Sequence, residues 1–203
     1  MKFSKFFSNI QEAPWYRLFL NPVINEITER GKLLDIGTGS GKLIQILSVE
    51  KEIECFGVDT NSDMLMEAQK KLINTDAELV KIEADEKLPF KPKSFKYITI
   101  CNVLFHLKKE SVDNLLNDAQ SLLTENGKII ILTPTGNKGF FELTKRFFSI
   151  KNLSIYIWFY ATKSKARKWN NINHLKQYAN ERNLKYTNKT AMNGLALIET
   201  ISF

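Results

Sequence analysis

Three glycines at alternate positions follow a short apolar run near the start of the chain. Residues 33–36 are apolar apart from Asp35, and Gly37, Gly39 and Gly41 come directly after them. Glycine can adopt a positive φ and has no Cβ, so a ligand can lie against the backbone of such a loop. Because ligands bind at the carboxyl ends of strands in open parallel sheets, the pattern predicts a ligand-binding turn between a strand and a helix.

The spacing of this loop distinguishes between known nucleotide-binding motifs. A Walker A loop requires a glycine where Ile36 stands, and it requires Ser or Thr where Leu43 stands. A dinucleotide-binding motif requires its third glycine at the position of Lys42. The spacing therefore excludes the first motif and disfavours the second.

The acid-x-G-x-G-x-G pattern of residues 35–41 resembles the first motif of class I S-adenosylmethionine-dependent methyltransferases, of the type 11 or ubiquinone-biosynthesis-like kind. The likeness continues along the chain in the order the family shows. Gly57-Val58-Asp59 ends the second apolar run on an acid, residues 84–90 are similar to the family's third, acidic segment, and residues 123–134 are similar to its fifth-strand entry.

This resemblance implies S-adenosylmethionine as the cofactor and a set of residues that hold it. Asp59 would accept two hydrogen bonds from the ribose diol, and the acidic segment that contains Asp85 would meet the adenine amino group. The cofactor-binding residues that the resemblance implies are Asp35, Gly37, Thr38, Gly39, Gly41, Asp59, Thr60, Met64, Asp85, Glu86 and Asn102.

Some of these residues have a second, structural interpretation. Asp35 could tether the loop backbone instead of contacting the cofactor. Asp59 could cap the next helix, although Asn61 and Ser62 are better placed for that role. Asp85 could lie in a surface loop.

Methyl transfer from a sulfonium requires alignment of the nucleophile, the methyl group and sulfur more than it requires acid–base help. A base is needed only for an un-ionised hydroxyl or an acidic carbon, and we name His106 and Tyr16 as candidates. His106 could instead be an ordinary residue of a helix-entry turn. Two histidines and two distant cysteines have no metal-ligand spacing, so we expect no metal site.

Short aliphatic runs alternate with helical patterns before residue 135. The runs with strand character are 32–36, 53–58, 78–82, 97–101 and 128–132. Helical spacing of apolar residues occurs behind Asn61 and Ser62, and again behind Ser111. Strands that alternate with helices predict a Rossmann-like α/β fold, with a seven-stranded, mostly parallel sheet and helices on both faces.

The end of the chain has a different pattern. The strand-like runs 184–191 and 195–201 are joined by Met192-Asn193-Gly194, which predicts an antiparallel hairpin. A helix is expected over 172–182, with His174 on its surface. We expect one methyltransferase domain over 1–203, made of a helical lid (1–30), a cofactor-binding core (31–134), a basic aromatic helical insert (135–183) and the hairpin (184–203).

The positive charge of the chain is concentrated in one segment. The net charge is +7, yet residues 138–189 contain twelve Lys and Arg and only two acids, so the other residues carry −3. The densest part, 163–168, lies between Trp158 and Trp169. This segment could bind RNA, lie on an anionic membrane, or be a solvated charged face.

Aromatic residues of the lid and the insert predict that the methyl acceptor is a small, apolar or lipid-like molecule, unless they are ordinary helix packing. They are Phe6, Phe7, Trp15, Tyr16, Phe19, Phe140, Phe141, Phe147, Phe148, Tyr156, Trp158, Phe159 and Tyr160. No apolar run approaches the ~20 residues that span a bilayer. We therefore expect a cytoplasmic protein and leave peripheral membrane attachment and the oligomeric state open.

Overall fold

A computed structural model describes residues 3–137, 143, 149 and 152–203. In this part of the chain seven strands form one sheet. They are β1 (Lys32–Ile36), β2 (Glu54–Asp59), β3 (Glu78–Lys81), β4 (Phe95–Cys101), β5 (Leu123–Pro134), β6 (Lys185–Ala191) and β7 (Ala196–Ser202). Their order is β3-β2-β1-β4-β5-β7-β6. Strands β1 to β5 pair in parallel, while β7 pairs antiparallel with both β5 and β6. The predicted fold class is confirmed.

Helices surround this sheet. They are α1 (Phe3–Glu12), α2 (Pro14–Glu26), α3 (Lys42–Glu50), α4 (Ser62–Lys71), α5 (Lys109–Leu122), α6 (Ser154–Ile172) and α7 (His174–Glu181). Single 3₁₀ turns occur at Leu104–His106 and Met192–Gly194. The start of α4 is the one predicted, because the Asn61 side chain accepts a hydrogen bond from the Met64 N–H at 3.2 Å.

Both faces of the sheet are covered, because successive strand residues point to opposite sides. Leu33 belongs to the core beneath α1, α2, α3 and the first half of α6, whereas its neighbour Leu34 belongs to the core beneath α5 and α7. The near-continuous apolar strands are the sequence signature of this arrangement.

Asn126 and Gly127, a pair of residues typical of turns, lie inside β5. Across β4 and β5, Phe95 pairs with Leu123 but Tyr97 pairs with Lys128, so β5 carries extra residues between the two pairs. The turn-forming residues lie in this irregular part of the strand, and the regular pairing begins at Lys128 as expected.

Helix α6 is attached to the carboxyl end of β5 through polar contacts with the backbone. The Arg167 guanidinium donates to the Gly136 carbonyl at 2.9 Å, and Asn170 Nδ2 donates to the Pro134 carbonyl at 2.9 Å. A Cβ at Gly136 would lie 2.4 Å from the Lys163 carbonyl oxygen. These contacts place α6 beside the carboxyl edge of the sheet, where the turn with the three glycines also lies.

Two predictions about helices were wrong in detail. Helix α5 begins at Lys109, two residues before Ser111. The expected helix over 172–182 is divided, because Asn173 adopts φ 52° and ends α6 before α7 begins. His174 is consequently buried, and its Nε2 lies 2.7 Å from Asp113 Oδ1.

Within the described ranges, none of the helices has both the length and the hydropathy needed to cross a membrane. The division of the chain into lid, core, insert and hairpin stays a prediction.

Candidate active site

The three glycines form a loop between β1 and α3 in which each has a positive φ, of 73°, 57° and 76°. A Cβ at Gly37 would lie 2.3 Å from Cγ2 of Val103, and a Cβ at Gly39 would lie 2.9 Å from Nε2 of Gln11. A larger residue would be strained by its backbone conformation at either position, and at Gly37 it would also collide with Val103. The sequence therefore needs glycine here for geometric reasons.

Asp59, at the end of β2, holds the loop in this shape. Its Oδ2 accepts a hydrogen bond from the Gly39 N–H at 2.8 Å, and its Oδ1 accepts one from the Asn61 N–H at 2.8 Å. Each carboxylate oxygen has a second lone-pair direction, so the half-buried side chain can still accept from a hydroxyl of a ligand. Thr60 is exposed next to it, and Met64 Cε lies 3.3 Å from the Cβ position at Gly39.

Asp35 lies beneath the loop and is 3% exposed. Its Oδ1 accepts a hydrogen bond from the Thr99 hydroxyl at 2.7 Å. Burial raises the pKa of the Asp35 carboxyl to about 6, although the hydrogen bond from Thr99 opposes the shift. This environment suits a residue that supports the loop from below.

Helix α1 lies across the glycine loop, a contact that the sequence does not indicate. Gln11 Oε1 accepts hydrogen bonds from the backbone N–H of Ser40, at 3.2 Å, and from its hydroxyl. Glu12 pairs with Lys42 at 2.6 Å and with Lys71 at 2.5 Å. We call Gln11, Glu12, Ser40, Lys42 and Lys71 the α1 latch. The latch covers the glycine loop on the side of α1 and α4.

Tyr16 of α2 is buried beside the end of β4. Its hydroxyl accepts a hydrogen bond from Gln11 Nε2 at 3.4 Å and lies next to the Asn102 side chain. Burial raises the pKa of the Tyr16 phenol far above its ordinary value, and the nearby Cys101 and Asp35 add to this shift. Tyr16 therefore stays protonated, and it can donate a hydrogen bond but cannot act as a base at neutral pH.

Asn102 connects this region to the sheet. Its backbone has φ 61°, and its N–H donates to the Leu132 carbonyl at 2.9 Å. Its Oδ1 is buried without a hydrogen-bond partner among the described residues. A buried acceptor of this kind is costly unless a donor from a ligand or water reaches it.

His106 lies on the 3₁₀ turn after β4 and is exposed. Its ring stacks on Phe105, with 4.3 Å between the centroids. Partial desolvation lowers the pKa of the imidazole, and the positive charge of Lys165 lowers it further. His106 is therefore neutral at physiological pH and able to accept a proton.

The two candidate carboxylates of the acidic segment after β3, those of Asp85 and Glu86, have different surroundings. Glu86 Oε2 accepts a hydrogen bond from the Glu83 N–H at 2.8 Å, so this side chain closes its own turn. Asp85 is exposed and has φ 61°. Of the two, Asp85 is the residue whose carboxylate is not engaged in that turn.

The aromatic residues of α2 and α6 pack against one another. Trp15, Phe19 and Trp158 are at most 4% exposed, and the ring centroid of Trp158 lies 4.9 Å from Trp15 and 5.0 Å from Phe19. Trp15 Nε1 also donates to Ser154 Oγ at 2.9 Å. These rings form a closed wall behind Tyr16. The side chains of Phe6 and Phe7, together with Phe140, Phe141, Phe147 and Phe148, lie outside the described residues.

Residues 33–127 match a family model described as a methyltransferase domain. The match begins in β1 and includes the glycine loop, Asp59, Asp85 and Asn102. The chain therefore contains a methyltransferase domain over residues 33–127. No curated protein sequence matches it.

Solved structures show that the fold of this methyltransferase is widespread. A putative S-adenosylmethionine-dependent methyltransferase from Methanococcus maripaludis superimposes with a TM-score of 0.72 at 17% identity, covering 98% of this chain and 91% of its own. A methyltransferase from Aquifex aeolicus gives 0.68 at 15% identity, covering 96% of each chain.

A third structure shows the same fold with a cofactor bound. Phosphoethanolamine N-methyltransferase 2 from Haemonchus contortus, in complex with S-adenosylmethionine, gives a TM-score of 0.65 at 16% identity. The superposition covers 92% of this chain and 52% of the Haemonchus contortus enzyme.

The residues of the loop region fit S-adenosylmethionine, the ligand bound in the Haemonchus contortus enzyme. The glycines leave room for a ligand against the backbone, and Asp59 keeps acceptor capacity for hydroxyl groups. The unpaired Oδ1 of Asn102 and the buried phenol of Tyr16 border the same loop. In the described part of the chain, no group of three or more His, Cys, Asp or Glu residues could hold a metal ion.

Proposed function

We propose that this methyltransferase modifies a small, apolar or lipid-like acceptor. The proposal rests on the absence of charge among the side chains of α2 and of the end of β4 that border the glycine loop. Tyr16, Asn102, Val103 and Phe105 are all uncharged there, and the aromatic wall of α2 and α6 lies behind Tyr16. A cationic acceptor would lose its hydration in such surroundings without gaining a partner, which costs several kcal/mol.

We propose further that the cofactor lies against residues 37–41. In this arrangement Asp59 accepts hydrogen bonds from the ribose, Asp85 faces the adenine, and Met64 and Thr60 border the nucleoside. When bound, S-adenosylmethionine supplies a methyl group attached to a positively charged sulfur. Asp35 supports the loop from beneath through its bond with Thr99.

The two candidate catalytic residues have different roles in this proposal. Tyr16 remains protonated, so it orients its neighbours as a hydrogen-bond donor. His106 is neutral at physiological pH and lies on the turn after β4, where it can accept a proton from an acceptor hydroxyl or carbon acid. Positioned bases of this kind contribute about 10²–10⁴-fold to rate.

The proposal is tested by offering the enzyme methyl-labelled S-adenosylmethionine with three classes of acceptor. The panel contains prenylated phenols and prenyl alcohols, the polar amine phosphoethanolamine, and an oligoribonucleotide mixture. We expect label in the first class, extractable into organic solvent. Label only in the amine or the RNA would contradict the proposal.

The control is the Asp59→Ala variant, which we expect to lose transfer to every acceptor because it lacks the ribose contact. For a hydroxyl acceptor, His106→Gln should lower kcat with little effect on KM. It should also remove the pH dependence of kcat that comes from the protonation of His106, whose pKa lies below the ordinary value for histidine. An unchanged pH profile would remove His106 from the reaction.

A further inference from the structure

Helix α6 exposes an apolar stripe. Leu153, immediately before the helix, is 63% exposed, Ile157 is 48% exposed and Tyr160 is 61% exposed. Residues spaced by three and four positions lie on the same face of a helix, so these three form a continuous strip. Single exposed apolar residues need no explanation, but an aligned row beside basic residues does.

The same helix continues as a basic surface. Lys165, Arg167 and Lys168 are exposed on its second half, and Lys163 lies on its flank over the ring of Phe159. The chain contains no acidic residue from 152 to 173. Together with the apolar stripe, these residues form what we call the α6 face, defined as Leu153, Ile157, Tyr160, Lys165 and Lys168.

The α6 face adjoins the candidate active site. Helix α6 contacts the 3₁₀ turn that contains His106, and Lys165 is close enough to His106 to lower its pKa. Leu107, which follows that turn, is 40% exposed, and Lys108 beside it is also exposed. Apolar and basic side chains therefore continue from the helix to the turn.

We infer that the α6 face binds an anionic lipid bilayer. Helices that lie in the membrane interface combine a row of apolar side chains with flanking Lys and Arg residues. The lysine stems lie along the apolar surface while their charges reach the phosphate groups, and tyrosine is favoured at this depth. The charge of the surface complements an anionic membrane.

The structure favours a membrane over RNA for this surface. Bases stack on exposed aromatic rings, but Trp158 is only 4% exposed and belongs to the core. Trp169 is half-buried and packs edge-on against the ring of His174, with 5.7 Å between the centroids. Tyr160 is the only exposed aromatic ring of the α6 face, and its other exposed apolar side chains, Leu153 and Ile157, are aliphatic and cannot stack on a base.

The test measures sedimentation of the full chain with vesicles of phosphatidylcholine alone and of phosphatidylcholine mixed with phosphatidylglycerol. We expect binding to the anionic vesicles only, weakened by salt. Removing the two charges in Lys165→Gln/Lys168→Gln should weaken it about five-fold per charge. Removing the apolar contacts in Ile157→Ser/Tyr160→Ser should weaken it by about ten-fold or more.

The control is Lys70→Gln/Ile73→Ser at the C-terminal end of α4. It removes one charge and one apolar side chain, 79% exposed, away from the α6 face. This variant should bind as the wild type does. All the altered side chains are exposed or at the surface, so circular dichroism should show the same fold in each variant.

Three results would overturn the inference. The first is no binding to anionic vesicles. The second is equal weakening by the α4 control, which would mean that only net charge matters. The third is tighter, salt-dependent binding of an oligoribonucleotide that Ile157→Ser/Tyr160→Ser leaves unchanged. Since no methyl transfer is measured, none of these results bears on the proposed acceptor.

Discussion

The carboxylate of Asp59 accepts a hydrogen bond from the backbone N–H of Gly39 at 2.8 Å, across 20 residues of chain. The contact joins the end of β2 to the glycine loop that follows β1. An acid at the end of one strand therefore fixes the conformation of the loop after its neighbour. The loop is shaped by the protein itself, so a ligand that binds there does not have to order it.

Replacing Asp59 by alanine should weaken S-adenosylmethionine binding. The substitution removes the proposed acceptor for the ribose and the observed partner of the Gly39 N–H. A hydrogen bond to a charged group is worth about 1.5–3 kcal/mol, so the expected loss is roughly 10- to 150-fold in Kd. Isothermal calorimetry measures it, with Asp76→Ala, an exposed acid, as the control. Equal affinities of the two variants would remove Asp59 from the site.

Replacing Gly37 by alanine should destabilise the loop in two ways. The new Cβ would lie 2.3 Å from Cγ2 of Val103, and the residue would have to keep a φ of 73°. The strained backbone alone costs about 1–3 kcal/mol. Thermal unfolding should show a lower Tm, and calorimetry should show weaker cofactor binding.

A second substitution separates these two causes. Val103→Ala in the Gly37→Ala background removes the steric contact but not the backbone strain, so it should restore part of the lost stability and not all of it. Complete recovery would show that the positive φ carries no cost, and no recovery would show that the contact with Val103 is unimportant.

The α1 latch predicts that Gln11 protects the loop from solvent. In Gln11→Ala the Ser40 N–H loses its side-chain acceptor, so its hydrogen exchange should become faster, as should that of the α1 backbone. The matched control is Gln177→Ala on α7, whose side chain donates to the Ile172 carbonyl away from the loop. If Ser40 exchanges at the same rate in both variants, the latch does not hold the loop.

The buried carboxyl of Asp35 predicts a pH-dependent contribution to stability. Its pKa is about 6 in the folded state against an ordinary value of 3.8, so the folded state binds the proton more tightly. The stability of the wild type relative to Asp35→Asn should therefore fall as the pH rises from about 4 to 6, and stay low above it. The expected change is roughly 2–3 kcal/mol.

Urea unfolding of both proteins at several pH values measures this difference, and the comparison cancels the other titrating groups. Asparagine keeps an acceptor for the Thr99 hydroxyl, so the hydrogen bond at 2.7 Å can persist. A difference that is constant from pH 4 to 7 would show that Asp35 is ionised as readily in the folded chain as in the unfolded one.

The sequence predicted the features that depend on local spacing. The glycine loop, the strand that ends at Asp59 and the terminal hairpin are recognisable because each needs particular residue types at fixed positions. The Asn61 cap is recognisable for the same reason. Apolar runs separated by helical patterns were sufficient to predict a mostly parallel sheet that ends in an antiparallel hairpin.

The features that were missed depend on contacts between distant residues. Gln11 lies 29 residues from Ser40, and nothing in either segment indicates that they meet. His174 was expected on the surface of a helix over 172–182, but the break at Asn173 turns it towards Asp113. The burial of Trp158 likewise follows from packing against α2, which periodicity within α6 does not reveal.

Calorimetric titration of the purified chain with S-adenosylmethionine, S-adenosylhomocysteine and NAD tests the central claim most directly. We predict saturable heat with both adenosyl ligands, at one site per chain, and none with NAD. Binding of NAD without heat from either adenosyl ligand would contradict the account, because the glycine loop and Asp59 would then hold a different nucleotide.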